Sequence, residues 1–480
     1  MRHMSEARSR RHGFTIVELL VAAAVSILLM VIVTEAFKRG LDMFRHLKSA
    51  GDLNERLRTA SRALRDDIAS FHFEDGVSSD RQYLSGIDLR PSAMPNDPPS
   101  NGFFRIIQMP EPLNPPDPTN NPAGEPCIFE GTDTDGMLFT RATRHMLHFT
   151  VFRRETSPTV KFPVDPSYMF RTLEPYPPAS AGGVPHPNPL FPVAYVDPPD
   201  FREAGVFSSR WAEVVYFLAP NGRSANGTPL FNLYRRQKLV LPPAGGYAGI
   251  PGGPIPVAPL PYRENPEIST RATITPPSRL YNRTGDVTQP RFRMDMQPAV
   301  DNANDPRVAG LLAAPNYLRL QDELGLNDPR AGDDILMPDV ISFEIKATWD
   351  ADSSDPEPRR LYVVPGLGIP PGNVYPNSDY PFDYLPLSPT NWVLRSQNWR
   401  VFDTWCDTPG TPYGDPRPSS GAGDPGGTGP AWSDTTPTPN PMQTGARIPL
   451  RIRVKALLIR MRIWDFKTEQ TRQLTVIIDV

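Results

Sequence analysis

The chain has 480 residues, 50 of them Lys or Arg and 53 Asp or Glu, a formal net charge of −3. That balance offers no basic surface for nucleic acid, and the two cysteines, Cys127 and Cys406, are too few for a disulfide framework or a Cys-x-x-Cys metal or redox pair. Proline is the outlier at 60 residues of 480, against a usual share of about 5 %, so the folded mass is smaller than the length suggests.

Residues 1–13, MRHMSEARSRRHG, are short, polar and basic. Residues 14–33, FTIVELLVAAAVSILLMVIV, carry one charge, Glu18. A run of that length crosses a hydrocarbon core of about 30 Å as a helix. Arg8, Arg10 and Arg11 precede it, which places the N-terminus in the cytoplasm and the bulk of the chain outside. A secretory signal has a shorter apolar core and a small-residue cleavage site. Here the run passes into Thr34, Glu35, Ala36 and Phe37 without one. A plain signal anchor has no use for Glu18, and a carboxylate inside an apolar run is costly enough to require a partner or a role.

The segment Gly13-Phe14-Thr15-Ile16-Val17-Glu18-Leu19-Leu20-Val21-Ala22 resembles the class III signal of type IV prepilins and type II secretion pseudopilins. The resemblance implies cleavage by a membrane prepilin peptidase between Gly13 and Phe14, with methylation of Phe14. It implies that Glu18 pairs with the N-terminal amine of a neighbouring subunit during assembly, and a positive amine is what makes a carboxylate tolerable in apolar surroundings. The implied partners are the peptidase, other pilins or pseudopilins, an inner-membrane assembly platform and membrane lipid. The implied location is the bacterial inner membrane, single-pass, with the C-terminal head extracytoplasmic.

Residues 34–76 continue the helix as an amphipathic spine. Phe37, Leu41, Phe44, Leu47, Leu53, Leu57, Ala60, Leu64, Ile68 and Phe71 recur mostly at three- and four-residue steps. Read as one apolar face, they need a sheet to cover them. Gly40 and Gly51 are expected bend points, and Glu74-Asp75-Gly76 is the expected end, with the glycine as C-cap. The alternative is a coiled-coil stalk, for which the heptad is not strict. The segment from Asn54 to Ile68 is also similar to the second half of the helix in J-type pseudopilins and W-type minor pilins.

Residues 77–480 read as a β-rich head. Expected strands are Phe103–Met109, Met137–Thr140, Met146–Phe152, Trp211–Leu218, Leu230–Leu239, Val340–Trp349, Ile448–Trp464 and Leu474–Val480, with a hairpin turn at Pro220-Asn221-Gly222. The fold class is α+β, a long N-terminal helix on antiparallel sheet. The order of Gly131–Phe139, Val214–Leu218 with Leu233–Arg235, Val340–Ile345 and Ile448–Val454 resembles that of J-type subunits, though this chain is roughly twice as long as their typical size. The excess is Pro-rich insertions at about 91–126, 155–205, 241–310 and 351–445, either loose decoration or loops draped over the sheet.

Chemistry is sparse. His145 and His148 are three apart, which in a strand puts them on opposite faces and argues against a shared metal. Asp133, Asp135 and Gly136 look like part of a calcium loop without its distant glutamate, and a turn is the simpler reading. Phosphate loops, nucleophile elbows and HExxH pairs do not occur. No cofactor and no enzymatic activity are expected. A structural subunit of a pilus or pseudopilus is favoured, at a minor, tip-like position because the large loops would crowd a filament built of this chain throughout. A membrane-tethered extracytoplasmic binder or enzyme using the same leader is the alternative. A Cys127–Cys406 bridge and two unpaired thiols both stay open.

Overall fold

The computed structural model describes residues 15–74, 81–90, 99, 101–109, 111, 126–132, 138–153, 170–171, 208–241, 268–272, 279–288, 293, 335–351, 379, 381–386, 400–404, 450 and 452–480. Gly13, Phe14, Asp133, Asp135, Gly136 and Cys406 lie outside them. The chain divides into two compact units: Met1–Arg56 with Asp465–Gln470, and Leu57–Trp464 with Thr471–Val480.

One helix, α1, runs unbroken over Ile16–Ile68, straight through Gly40 and Gly51. The expectation of a single apolar face is corrected. Phe37, Leu41, Phe44 and Leu47 are exposed, whereas Leu53, Leu57, Ala60, Leu64 and Ile68 are buried. The cause is in the spacing. A helix turns about 100° per residue, so the six-residue step from Leu47 to Leu53 rotates the stripe by about 240°. The end is corrected too. The helix stops at Ile68 rather than at Glu74–Gly76, because Phe71 bridges to Phe152 and Phe73–Glu74 is already a strand, paired with Arg81–Gln82.

In the second unit an eight-stranded sheet takes its strands from the whole length of the chain. These are β1 (Phe104–Gln108), β2 (His145–Phe152), β3 (Trp211–Ala225), β4 (Thr228–Val240), β5 (Ile335–Ala351), β6 (Arg400–Asp403), β7 (Ile452–Asp465) and β8 (Gln470–Asp479). Their order is β6-β1-β2-β3-β4-β5-β7-β8. The pairs β6·β1, β1·β2, β2·β3, β3·β4, β4·β5 and β5·β7 are antiparallel. It is a meander in which β6, supplied by the last Pro-rich insertion, returns to the far edge. A short pair, Ile128–Thr132 with Leu138–Arg141, lies outside the sheet.

The central hairpin is longer than its expected form. Its turn is Asn226-Gly227, not Pro220–Gly222, which lies within β3. Both turn residues have positive φ, 49° and 84°, the backbone of a two-residue turn that Asn-Gly adopts readily.

Every residue from Trp211 to Ala219 is buried, so both faces of β3 are covered. On one face lie Phe149, Val214, Tyr216, Leu218, Leu233 and Arg235, by their register, and the last three turns of α1 reach this face. On the other face Phe103, Phe152, Trp211, Val240 and Val287 cluster, with Phe71 packed against them. The cover there comes from the insertion at 241–310: Ser269, Asn282, Thr284, Val287 and Arg293 are buried. Arg293 forks onto Asp403 at 2.7 and 3.0 Å and lies 3.7 Å over the Phe103 ring. Arg105 approaches the same carboxylate at 3.5 Å.

Candidate functional site

The N-terminal turn of α1 is built by two residues. The Thr15 backbone N–H and hydroxyl both donate to Glu18 Oε2, at 2.9 and 3.0 Å, and Thr15 Oγ1 accepts the Glu18 N–H at 3.3 Å. This is a reciprocal capping box. It satisfies donors that a helix start otherwise leaves open, in a segment whose surroundings are apolar. Among the described residues nothing donates to the other oxygen, Oε1. Sequence reasoning singled out Glu18 for its charge but missed Thr15, although the Thr-x-x-Glu spacing was there to read.

After that turn the helix is long and apolar enough to cross a membrane, and its apolar window has no buried share. Ile16, Val17, Leu19, Leu20 and Val21 are all exposed. They need a nonaqueous solvent or other helices around them.

Residues 8–34 match the family model described as the prokaryotic N-terminal methylation motif. The N-terminus is a prepilin-type leader. The match covers the leader and the apolar run and stops there. No curated protein and no solved structure matches the chain. The leader implies processing by a prepilin peptidase and assembly with other pilins.

Farther along, the prepilin-type helix is tied down by polar contacts. In the first unit Ser49 Oγ donates to Asp465 Oδ2 at 2.5 Å, and the same oxygen accepts the Thr468 hydroxyl at 2.8 Å. In the second unit Asp67 takes a fork from Arg235, Nε to Oδ2 at 2.7 Å and Nη2 to Oδ1 at 3.0 Å, and the Tyr216 hydroxyl at 2.6 Å. Burial and then the Asp67 charge hold the Tyr216 phenol well above its usual range. Arg65 Nη1 donates to the Ile477 carbonyl at 3.2 Å. His72 closes the helix end: its two ring nitrogens face the Ile68 and Thr150 carbonyls at 2.9 and 2.7 Å. Burial pushes its pKa down against those carbonyls and Asp67.

The two histidines read as facing opposite ways do so and share no partner. His145 Nε2 lies 2.8 Å from the Pro126 carbonyl, and its Nδ1 accepts the Ile345 N–H at 3.0 Å. Burial lowers it to about 4. His148 Nε2 meets Glu213 at 2.8 Å on the other face. Among the described residues no group of three or more His, Cys, Asp or Glu could hold a metal.

Proposed function

We propose that this chain is a minor, tip-located subunit of a type II secretion pseudopilus or type IV pilus, structural and not enzymatic, cut between Gly13 and Phe14. The observation that carries the reading is the first turn of α1. Glu18 is held by Thr15 through one oxygen, while among the described residues the other meets no donor, as suits a carboxylate that takes a neighbouring subunit's N-terminal amine. The rest of the helix supports it: an apolar span continues without interruption into the segment that the head grips through Asp67, Arg235 and Tyr216. The head departs from the size of J-type subunits through its inserted segments, and so large a chain favours the end of a filament over every position along it.

Co-expression with a prepilin peptidase tests the reading. Mass spectrometry should show loss of residues 1–13 and a methylated Phe14. An uncut chain, or a cut elsewhere, would refute it. Position is read separately, by labelling the head in assembled filaments: label at one end supports the tip, label along the shaft excludes it.

A further inference from the structure

Four charged side chains meet in a mostly buried cluster between β5, β7 and the turn at Asp379–Phe382. Glu344 and Lys346 share one face of β5, two residues apart, and Arg460 lies directly opposite Glu344 on β7. Asp379 comes from the 351–445 insertion. Its turn is closed by the Phe382 N–H on the Asp379 carbonyl at 2.9 Å, and is pinned to β5 by reciprocal Ala347–Asp383 backbone bonds, both 2.9 Å. Lys346 Nζ sits 2.6 Å from Asp379 Oδ2 and 3.8 Å from Glu344 Oε1. The Tyr384 ring lies 4.8 Å from the same Nζ. Arg460 divides its fork, Nη2 to Asp379 Oδ1 at 2.6 Å and Nη1 to Glu344 Oε2 at 2.7 Å. Side-chain exposure is 6 % for Lys346, 0 % for Glu344 and 10 % for Asp379.

We infer that Lys346 and Asp379 condense to an intramolecular isopeptide bond, with Glu344 relaying a proton and Arg460 holding the developing oxyanion. The balance closes within the pocket. The Lys346 ammonium passes one proton to Asp379 Oδ2 across their 2.6 Å contact, and the freed Nζ lone pair attacks Asp379 Cγ to form the C–N bond. Negative charge gathers on Oδ1, against Arg460 Nη2. The Cγ–Oδ2 bond then breaks, and Oδ2 leaves as water with two protons that began on Nζ. One ammonium and one carboxylate become one amide and one water, with no oxidant, reductant or outside reagent.

Three features drive the step. The reacting groups are held in contact by two strands and a pinned turn, which replaces a bimolecular encounter by a local one. The donor on Oδ1 is already in place. Buried ions lose the solvation that keeps amines and carboxylates apart in water, so a neutral amide is the cheaper occupant, and the remaining Arg460–Glu344 pair stays balanced. Burial alone raises the Glu344 pKa, but Lys346 and Arg460 outweigh it and hold it at about 2, aided by the Thr140 and Tyr384 hydroxyls. Glu344 is therefore ionised, and a carboxylate held this low relays the second proton, from the acidic N–H of the adduct to Oδ2, without keeping it. The product would staple the inserted segment permanently to the sheet.

The inference does not depend on what the leader does, and its test is read far from it. The full chain, purified in detergent and denatured, is digested with trypsin and analysed by mass spectrometry. The expected product is a branched species joining Ala331–Arg359, uncut after Lys346, to Leu361–Arg395, which contains Asp379, lighter by one water than the two together. Lys346→Arg keeps the cation but removes the nucleophile, so the branched species should vanish and the intact mass rise by one water after allowing for the substitution. Glu344→Gln should leave most of the chain unlinked. Two free peptides from the wild-type chain would mean an ion pair only and overturn the bond. A water loss confined to the Asp379 peptide would be a succinimide and overturn it as well. Full linkage in Glu344→Gln would remove Glu344 from the mechanism.

Discussion

Glu18 and Asp67 are both carboxylates on one helix, and their surroundings give them opposite tasks. Among the described residues Glu18 is bonded through one oxygen, by Thr15, and its replacement by Ala should leave leader cleavage intact and abolish incorporation into filaments. Normal incorporation of Glu18→Ala, scored by fractionating sheared filaments, would remove the pairing role. Asp67 is spoken for on both oxygens. Asp67→Ala leaves Arg235 and the Tyr216 hydroxyl without their acceptor in a mostly buried place. Breaking one partner from a buried pair costs about 3–5 kcal/mol. Arg235 keeps 21 % exposure, so the loss should fall at the lower end of that range, read from the urea midpoint of the head. Asp67→Asn should lose less, since it retains an acceptor.

At the scale of elements, the two apolar stripes of α1 make separable predictions. Leu64 is fully buried, and Leu64→Ala should destabilise the head by about 2–5 kcal/mol. Leu47 is 67 % exposed, and Leu47→Ala should change head stability by less than about 0.5 kcal/mol. Equal effects in a denaturation series would contradict the break in phase between Leu47 and Leu53. The hairpin gives a third case. Gly227 sits at φ 84° with open space around its Cα, so Gly227→Ala meets no clash and pays only for left-handed backbone, about 1–2 kcal/mol.

Across the whole molecule, burial of neutral imidazoles sets the response to acid. His72, His145 and His148 are all lowered, chiefly by burial. Between the ordinary value of 6.5 and about 4 for His145, the unfolded chain binds a proton that the folded chain refuses. Stability should therefore be level above pH 7 and fall as pH drops from 6.5 toward 4, at up to about 1.4 kcal/mol per pH unit for His145, with His72 and His148 acting in the same direction. Urea midpoints at pH 7.5 and pH 5 measure it, and equal midpoints would show that the imidazoles are not held neutral.

Much of this was legible in the sequence, and what was legible shares a cause. The leader and the apolar span are one-dimensional signals, set by solvent and by a peptidase that reads a short stretch. The strands came through because aromatic and β-branched runs suit a half-buried pleat wherever they lie. The Leu47–Leu53 phase break and the Asn226-Gly227 turn were also present in the residues, and were hidden only by a tolerant count of helical steps and a more conspicuous Pro-Asn-Gly. Other features were decided by tertiary structure alone. Glu213, Glu344, Lys346 and Arg293 look like solvated charges on a list of residues, and each is buried because a distant segment brings its partner. Nothing local tells Lys346 that Asp379 will stand 2.6 Å away, since that distance belongs to an insertion folded back on the sheet. The sequence by itself determined the long apolar helix, and the tertiary structure decided which buried charges would face one another.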